Sequence, residues 1–133
     1  MTDPAATGPI PLRVLVVDPD ERIRESITRL LPIGGRCAVV GSTCDTAEAI
    51  GLAAALVPEV AVIDSRLEDD ESIDGFVGHL RSTVPGIRVI VLNWTGAPEP
   101  VAALVGADAY IKKTFRPQEL IDAVVSAARV SAA

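Results

Sequence analysis

Val60-Ala61-Val62-Ile63-Asp64 constrains this chain more than any other stretch. Four apolar residues in succession read as a short strand buried on both faces, as in a parallel sheet covered by helices. The carboxylate that closes the run then sits at the strand's carboxyl end, where open parallel sheets gather their ligands. Alone, one Asp there is an ordinary turn or helix-cap residue. A second run of the same shape, Val14-Leu15-Val16-Val17-Asp18, changes the reading, because two such strands can set two carboxylates side by side.

The segments between these runs have helical spacing. Leu12 to Asp18 is the first expected strand, and Pro19 suits the first turn of a helix. That helix carries Ile23, Ile27, Leu30 and Leu31 on one side and Arg22, Arg24, Glu25 and Arg29 on the other, and it ends at Pro32 and Gly34-Gly35. Cys37 to Gly41 reads as a second strand. Asp45 and Thr46 open a helix over Ala47 to Val57, with Ala47, Ile50, Ala54 and Val57 on its apolar stripe. After the Asp64 strand comes a polar loop, Ser65 to Asp74, and Gly75 leads into a helix through Phe76, Val77 and Leu80. Ile87 to Leu92 is the fourth strand, ending at Asn93-Trp94. Glu99 to Val105 reads as a short helix and Ala109 to Ile111 as the fifth strand, with Lys112-Lys113 at its end. Pro117 opens the last helix, striped by Leu120, Ile121, Val124, Ala127 and Ala128. Strands alternating with helices imply an α/β fold, a doubly wound five-stranded parallel sheet with helices on both faces.

The length of 133 residues suits one domain, expected over 12–133 with 1–11 as a flexible leader and no output domain attached. At 49% hydrophobic the chain can bury a sizeable core, yet no apolar run approaches the roughly 18–20 residues that span a bilayer. The start lacks a basic segment followed by an apolar one, so we expect a cytoplasmic protein with no membrane contact. A formal net charge of −6 argues against direct binding to nucleic acid. Cys37 and Cys44 have no metal or redox spacing and read as small, reduced, mostly buried residues. His79, on the expected third helix, is given no role.

Asp18, Asp64, Asn93 and Lys113 each follow a buried run, so all four gather at one edge of the sheet. Two carboxylates and a lysine around one crevice suit a divalent cation such as Mg²⁺ and a phosphoryl group. An Asp carboxylate can attack phosphorus to form an acyl phosphate.

At this point the chain resembles the receiver domain of bacterial two-component response regulators. The residues that carry the resemblance are Val14–Asp18, Val60–Asp64, Val89–Asn93, the run Gly106-Ala107-Asp108-Ala109-Tyr110-Ile111-Lys112-Lys113-Thr114-Phe115, and Pro117-Gln118-Glu119-Leu120. The similarity extends from about Leu12 to Val130. It implies a flavodoxin-like sheet of order 2-1-3-4-5 and Mg²⁺-dependent transfer of a phosphoryl group from a histidine kinase to Asp64. It further implies that Lys113 pairs with the phosphate and Asn93 contacts it, with Asp18 and Asp64 as metal ligands and Asp20 and the Arg66 backbone carbonyl as further candidates. Tyr110, with Asn93, matches the family's switch positions. Output would pass to another protein through the surface of the fourth expected helix, fifth strand and last helix, and the family leaves room for a homodimer.

Several positions depart from the family pattern. Pro19 stands where a second acidic residue is usual, and Asn93 replaces a hydroxyl residue. Trp94 replaces a small residue, where its indole either covers the Asp64 pocket as a gate or packs outward. Gly75 follows Asp64 by eleven residues, which makes this loop about three residues longer than usual. Thr114 replaces a proline. These departures motivate an alternative in which the receiver acts as an interaction module independent of phosphorylation. A more remote alternative reads Asp18-Pro19-Asp20 as the D-x-D of a haloacid-dehalogenase-type phosphatase with Asp18 as nucleophile.

Overall fold

In the computed structural model, residues 10–67, 73–93, 106–113 and 116–129 are described. They form, in chain order, β1(Leu12–Val17), α1(Glu21–Leu30), β2(Cys37–Thr43), α2(Thr46–Leu56), β3(Val60–Asp64), α3(Ile73–Thr83), β4(Arg88–Asn93), β5(Ala109–Lys112) and α4(Pro117–Arg129). The strands lie in the order β2-β1-β3-β4-β5 and every neighbouring pair is parallel. The expected flavodoxin-like arrangement is therefore the one observed. The expected helix over Glu99 to Val105, residues 1–9 of the expected leader over 1–11, the middle of the loop after Asp64, Trp94 and Thr114 lie outside the described residues.

The apolar runs form strands because both of their faces are covered. Along β1, β3 and β4 alternate residues enter two separate cores, following the two-residue period of a strand. Leu15, Val17, Ala61, Ile63, Val89 and Val91 pack against α2 and α3 on one side. Val14, Val16, Val60, Val62, Ile90 and Leu92 pack against α1 and α4 on the other. Helix α1 contributes Ile23 and Ile27, and α4 contributes Leu120, Ile121, Val124 and Val125. β3 is the centre of the sheet and all five of its residues are buried.

The ends of the elements follow local chemistry. Asp20 caps α1, its side chain accepting from the backbone N–H of Arg22 and Ile23. Pro19 thus lies one residue before the cap, outside the helix whose first turn it was expected to enter. Asp45 caps α2 in the same way through Ala47. β2 runs two residues past the expected Gly41, and a register irregularity moves its pairing with β1 from Val14↔Val39 to Leu15↔Gly41. A Cβ at Gly41 would stand 3.1 Å from Leu56 of α2, so glycine lets the helix approach this strand closely. α3 begins at Ile73 and takes in Gly75, which was expected to precede it.

Two expectations about burial are corrected. The inward stripe of α2 is Thr46, Ala49 and Ala53, while Ala47, Ala54 and Val57 are exposed. The helix is apolar nearly all round, so its sequence offers little polar contrast by which to choose a face. Cys37 is buried but Cys44, in the β2–α2 loop, is exposed, and both are free thiols. The α2 correction has a measurable consequence. Ala53→Leu forces extra volume against the sheet and is expected to destabilise the protein by about 1–3 kcal/mol. Ala54→Leu faces water and is expected to stay within about 0.5 kcal/mol of the parent. Urea unfolding of the two variants beside the parent checks the assignment of faces.

Candidate functional site

The strand register brings the candidate residues together. Val17 pairs with Ile63, so Asp18 and Asp64 come next on adjacent strands. Asp64 pairs with Leu92 of β4, which places Asn93 one step further along. Asn93 in turn pairs with Lys112, and the backbone N–H of Lys113 donates to the Asn93 carbonyl at 2.6 Å. Backbone bonds from Asp18 to the Thr43 carbonyl and from Ser65 to the Leu92 carbonyl hold the neighbouring strand ends. Arg24 of α1 reaches back and donates to the Asp18 carbonyl at 2.9 Å.

The candidate side chains at this edge are all buried, with Asp18 and Asp64 each 1% exposed, Asn93 2% and Lys113 5%. Lys113 Nζ donates to Asp18 Oδ2 at 3.2 Å and also contacts Asp64 Oδ2. One ammonium therefore bridges two carboxylates that burial would otherwise leave uncompensated. Arg66 completes the cluster. Its backbone N–H donates to Asp64 Oδ1 at 2.5 Å, its Nε donates to the same oxygen at 3.1 Å, and its terminal nitrogen donates to Oδ2 at 3.0 Å. The guanidinium fork thus engages both oxygens of Asp64, a geometry suited to carboxylate.

These contacts set the ionisation of the two acids in opposite directions. Burial pushes the Asp64 carboxyl up, but bonds from Arg66 and Lys113 outweigh it and hold the group at about 2. Burial also pushes Asp18 up, and the nearby Asp64 charge adds to the rise. Here the backbone N–H of Asp20 and Lys113 oppose the shift without cancelling it.

The expected residues do not all arrive. Asp18, Asp64, Asn93 and Lys113 converge. Asp20 spends its carboxylate on the α1 cap, and its backbone N–H donates to Asp18 Oδ1 at 2.8 Å. Tyr110 is half-buried on β5 and packs against the core on the α2 and α3 side. The sequence reading named Arg66 only for its carbonyl and missed its side chain. The available signal was its place two residues after Asp64, where an Asp side chain commonly bonds the N–H two positions on. A cleft beside Leu12, Pro58, Glu59 and Arg88 lies away from this site, at the opposite end of the strands.

A divalent cation beside Asp64, as the resemblance implies, can be tested against this donor set. Each of the four carboxylate oxygens of Asp18 and Asp64 already accepts a hydrogen bond. The positive charges of Lys113 and Arg66 balance the two negative ones. Among the described residues no three acidic, His or Cys groups gather as a metal cluster. With Arg66 in this position the residues do not fit a divalent cation.

Comparison with known proteins bears on the same residues. The sequence model of the response regulator receiver domain matches residues 14–125. The transcriptional activator DevR/DosR of Mycobacterium tuberculosis, described as DNA-binding, is 34% identical over 115 residues, covering 85% of this chain and 52% of that protein. The response regulator protein VraR of Staphylococcus aureus is 31% identical over 120 residues, covering 89% of this chain and 57% of its own length. The chain spans about half the length of the curated relatives it matches. Among solved structures, the signal receiver domain of NarL from Mycobacterium tuberculosis superposes with a TM-score of 0.78 at 29% identity, covering 92% of this chain and 99% of that one. The response regulator domain of Thermotoga maritima CheB gives a TM-score of 0.74 at 28% identity, covering 91% and 98%.

The two acids have opposite effects on stability as pH changes. A carboxyl whose folded-state pKa lies below the unfolded value of about 3.9 stabilises the fold fully above that value and loses the contribution as pH falls through the folded pKa. For Asp64 that window runs from about pH 4 down to about 2. Asp18, shifted upward, works in the opposite sense. Asp64→Asn is therefore expected to lose less unfolding free energy than the parent between pH 5 and pH 3, as measured by urea titration at each pH.

Proposed function

This chain belongs to the response regulator receiver domain family, and we propose that Asp64 is its phosphoacceptor, with Lys113 and Asn93 holding the phosphoryl oxygens. Aspartate phosphorylation is general to that family, whose members are signalling modules of two-component systems rather than enzymes in the usual sense. The observation that carries the reading is the buried Lys113 ammonium in contact with both Asp18 and Asp64 at the carboxyl edge of the sheet. Such an ammonium is held, before reaction, close to where phosphoryl charge would develop.

In the proposed step an Asp64 carboxylate oxygen attacks the phosphorus of a phosphohistidine on a histidine kinase. The new P–O bond forms as the P–N bond breaks, and the departing imidazole keeps the electron pair and takes a proton from solvent. Lys113 then shifts from the carboxylates toward a phosphoryl oxygen, and the Asn93 amide donates to another. Receiver domains generally bind Mg²⁺ at the phosphorylation site; the steps assigned here use only this chain's own residues. Tyr110 on β5 is the proposed switch, and the face of β5 and α4 the proposed route to a partner protein in the cytoplasm. The phosphatase reading is not carried further, since Asp20 is engaged as a helix cap.

A second reading has one observation in its favour. The Arg66 fork already satisfies Asp64, as it would in a receiver that binds partners without being phosphorylated.

One experiment separates the two. Incubation with acetyl phosphate and MgCl₂ is expected to add one phosphoryl group by intact mass. Asp64→Asn should abolish the gain, and Lys113→Ala should slow it by about 100-fold, the effect of removing one charge-stabilising donor. No mass gain in the parent, under conditions that label an ordinary receiver, would leave the interaction module as the reading.

A further inference from the structure

Arg66 is the one member of the ion cluster that faces water. Its side chain is 51% exposed, while that of Asp64 beneath it is fully buried. Lys113, by contrast, is enclosed, and it enters from β5 on the far side of β4. The guanidinium is therefore a lid, tied to the carboxylate by two side-chain bonds and free on its outer side to move into solvent. It also supplies what a bound cation would supply there, a positive charge in contact with both oxygens of Asp64. The neighbouring residues fit this substitution. Position 19 is a proline with no carboxylate to offer, and Asp20 is turned to the helix cap. The backbone N–H of Arg66 holds Asp64 Oδ1 whatever the side chain at 66, so the carboxylate stays positioned when the guanidinium leaves.

We propose that Arg66 is a tethered counter-ion that takes the place of a divalent cation on the Asp64 carboxylate, and that it must swing into solvent before a cation or a phosphoryl group can occupy that face. Arg66 is thus a gating residue that sets the cation dependence of the site. The inference rests on Asp64 as the reacting carboxylate, but its test needs no phosphodonor and so stands or falls separately.

The probe is Mn²⁺, whose free fraction is read by electron paramagnetic resonance during titration of the purified protein. The parent is expected to bind weakly and Arg66→Gln at least about five-fold more tightly. A gain of that order follows from removing a unit positive charge at contact distance from a partly solvated site. Adding Asp18→Asn to Arg66→Gln should erase the gain, locating it between the two carboxylates. Arg66→Lys, which restores the charge, should return the affinity most of the way to the parent's value. A smaller gain in Arg66→Gln, persistence of the gain after Asp18→Asn, or an Arg66→Lys variant as tight as Arg66→Gln would each overturn the proposal. The last outcome would assign the effect to lost bulk rather than to charge. Because Arg66 is half-exposed and Lys113 stays in contact with Asp64, Arg66→Gln and Arg66→Lys are expected to keep the parent's melting temperature within a few degrees.

Discussion

Two carboxylates buried side by side are the costliest feature of this molecule. An ionised group taken out of water is tolerated only with an opposite charge and satisfied hydrogen bonds. Lys113 meets that need for Asp18 and Asp64 together, and Arg66 meets it a second time for Asp64. Much of the architecture can be read as the means of delivering that lysine. β5 must pair with β4 in one register for the Lys113 backbone to reach the Asn93 carbonyl, and β1 must lie beside β3 for the two acids to meet. Removing the buried Lys113 from such a cluster costs about 3–5 kcal/mol, because two carboxylates then stay buried with less compensation.

The sheet and the site's frame were legible because one physical cause served both. A short apolar run bounded by turn residues reads as a strand covered on two sides, all-parallel sheets are covered in that way, and parallel strands present their carboxyl ends to one crevice. From that chain of reasoning Asp18, Asp64, Asn93 and Lys113 fall together before any coordinates are known. The same logic failed where contrast was missing. Ala47 to Leu56 has apolar residues on every side, so the stripe at Thr46, Ala49 and Ala53 emerges only once the sheet chooses a face. Cys44 looked like a core residue by type, but it falls in the turn between β2 and α2. Arg66 was missed for a different reason: its sequence neighbourhood is polar, and only the turn after Asp64 reveals that its side chain folds back.

The departures from the family pattern become coherent when taken together. A second acid at position 19 would bring another negative charge to a cluster that is already neutral. Proline there leaves the helix cap to Asp20 and the backbone bond from Asp20 to Asp18 intact. Arg66 after β3 adds a positive charge of the chain's own to the same cluster.

β5 has a consequence of its own. Among the described residues the strand is an edge, paired on one side, and none of its four residues is fully buried, whereas every residue of β3 is. Asp64 is thus mounted on the most protected strand and Lys113 at the end of a far less protected one. Edge strands open by local fraying far more often than whole domains unfold, and their amides exchange with solvent accordingly. Each such opening of β5 would withdraw Lys113 from the two carboxylates while β1 and β3 remain in place. The charge balance of the site is in that sense only as persistent as its outermost strand.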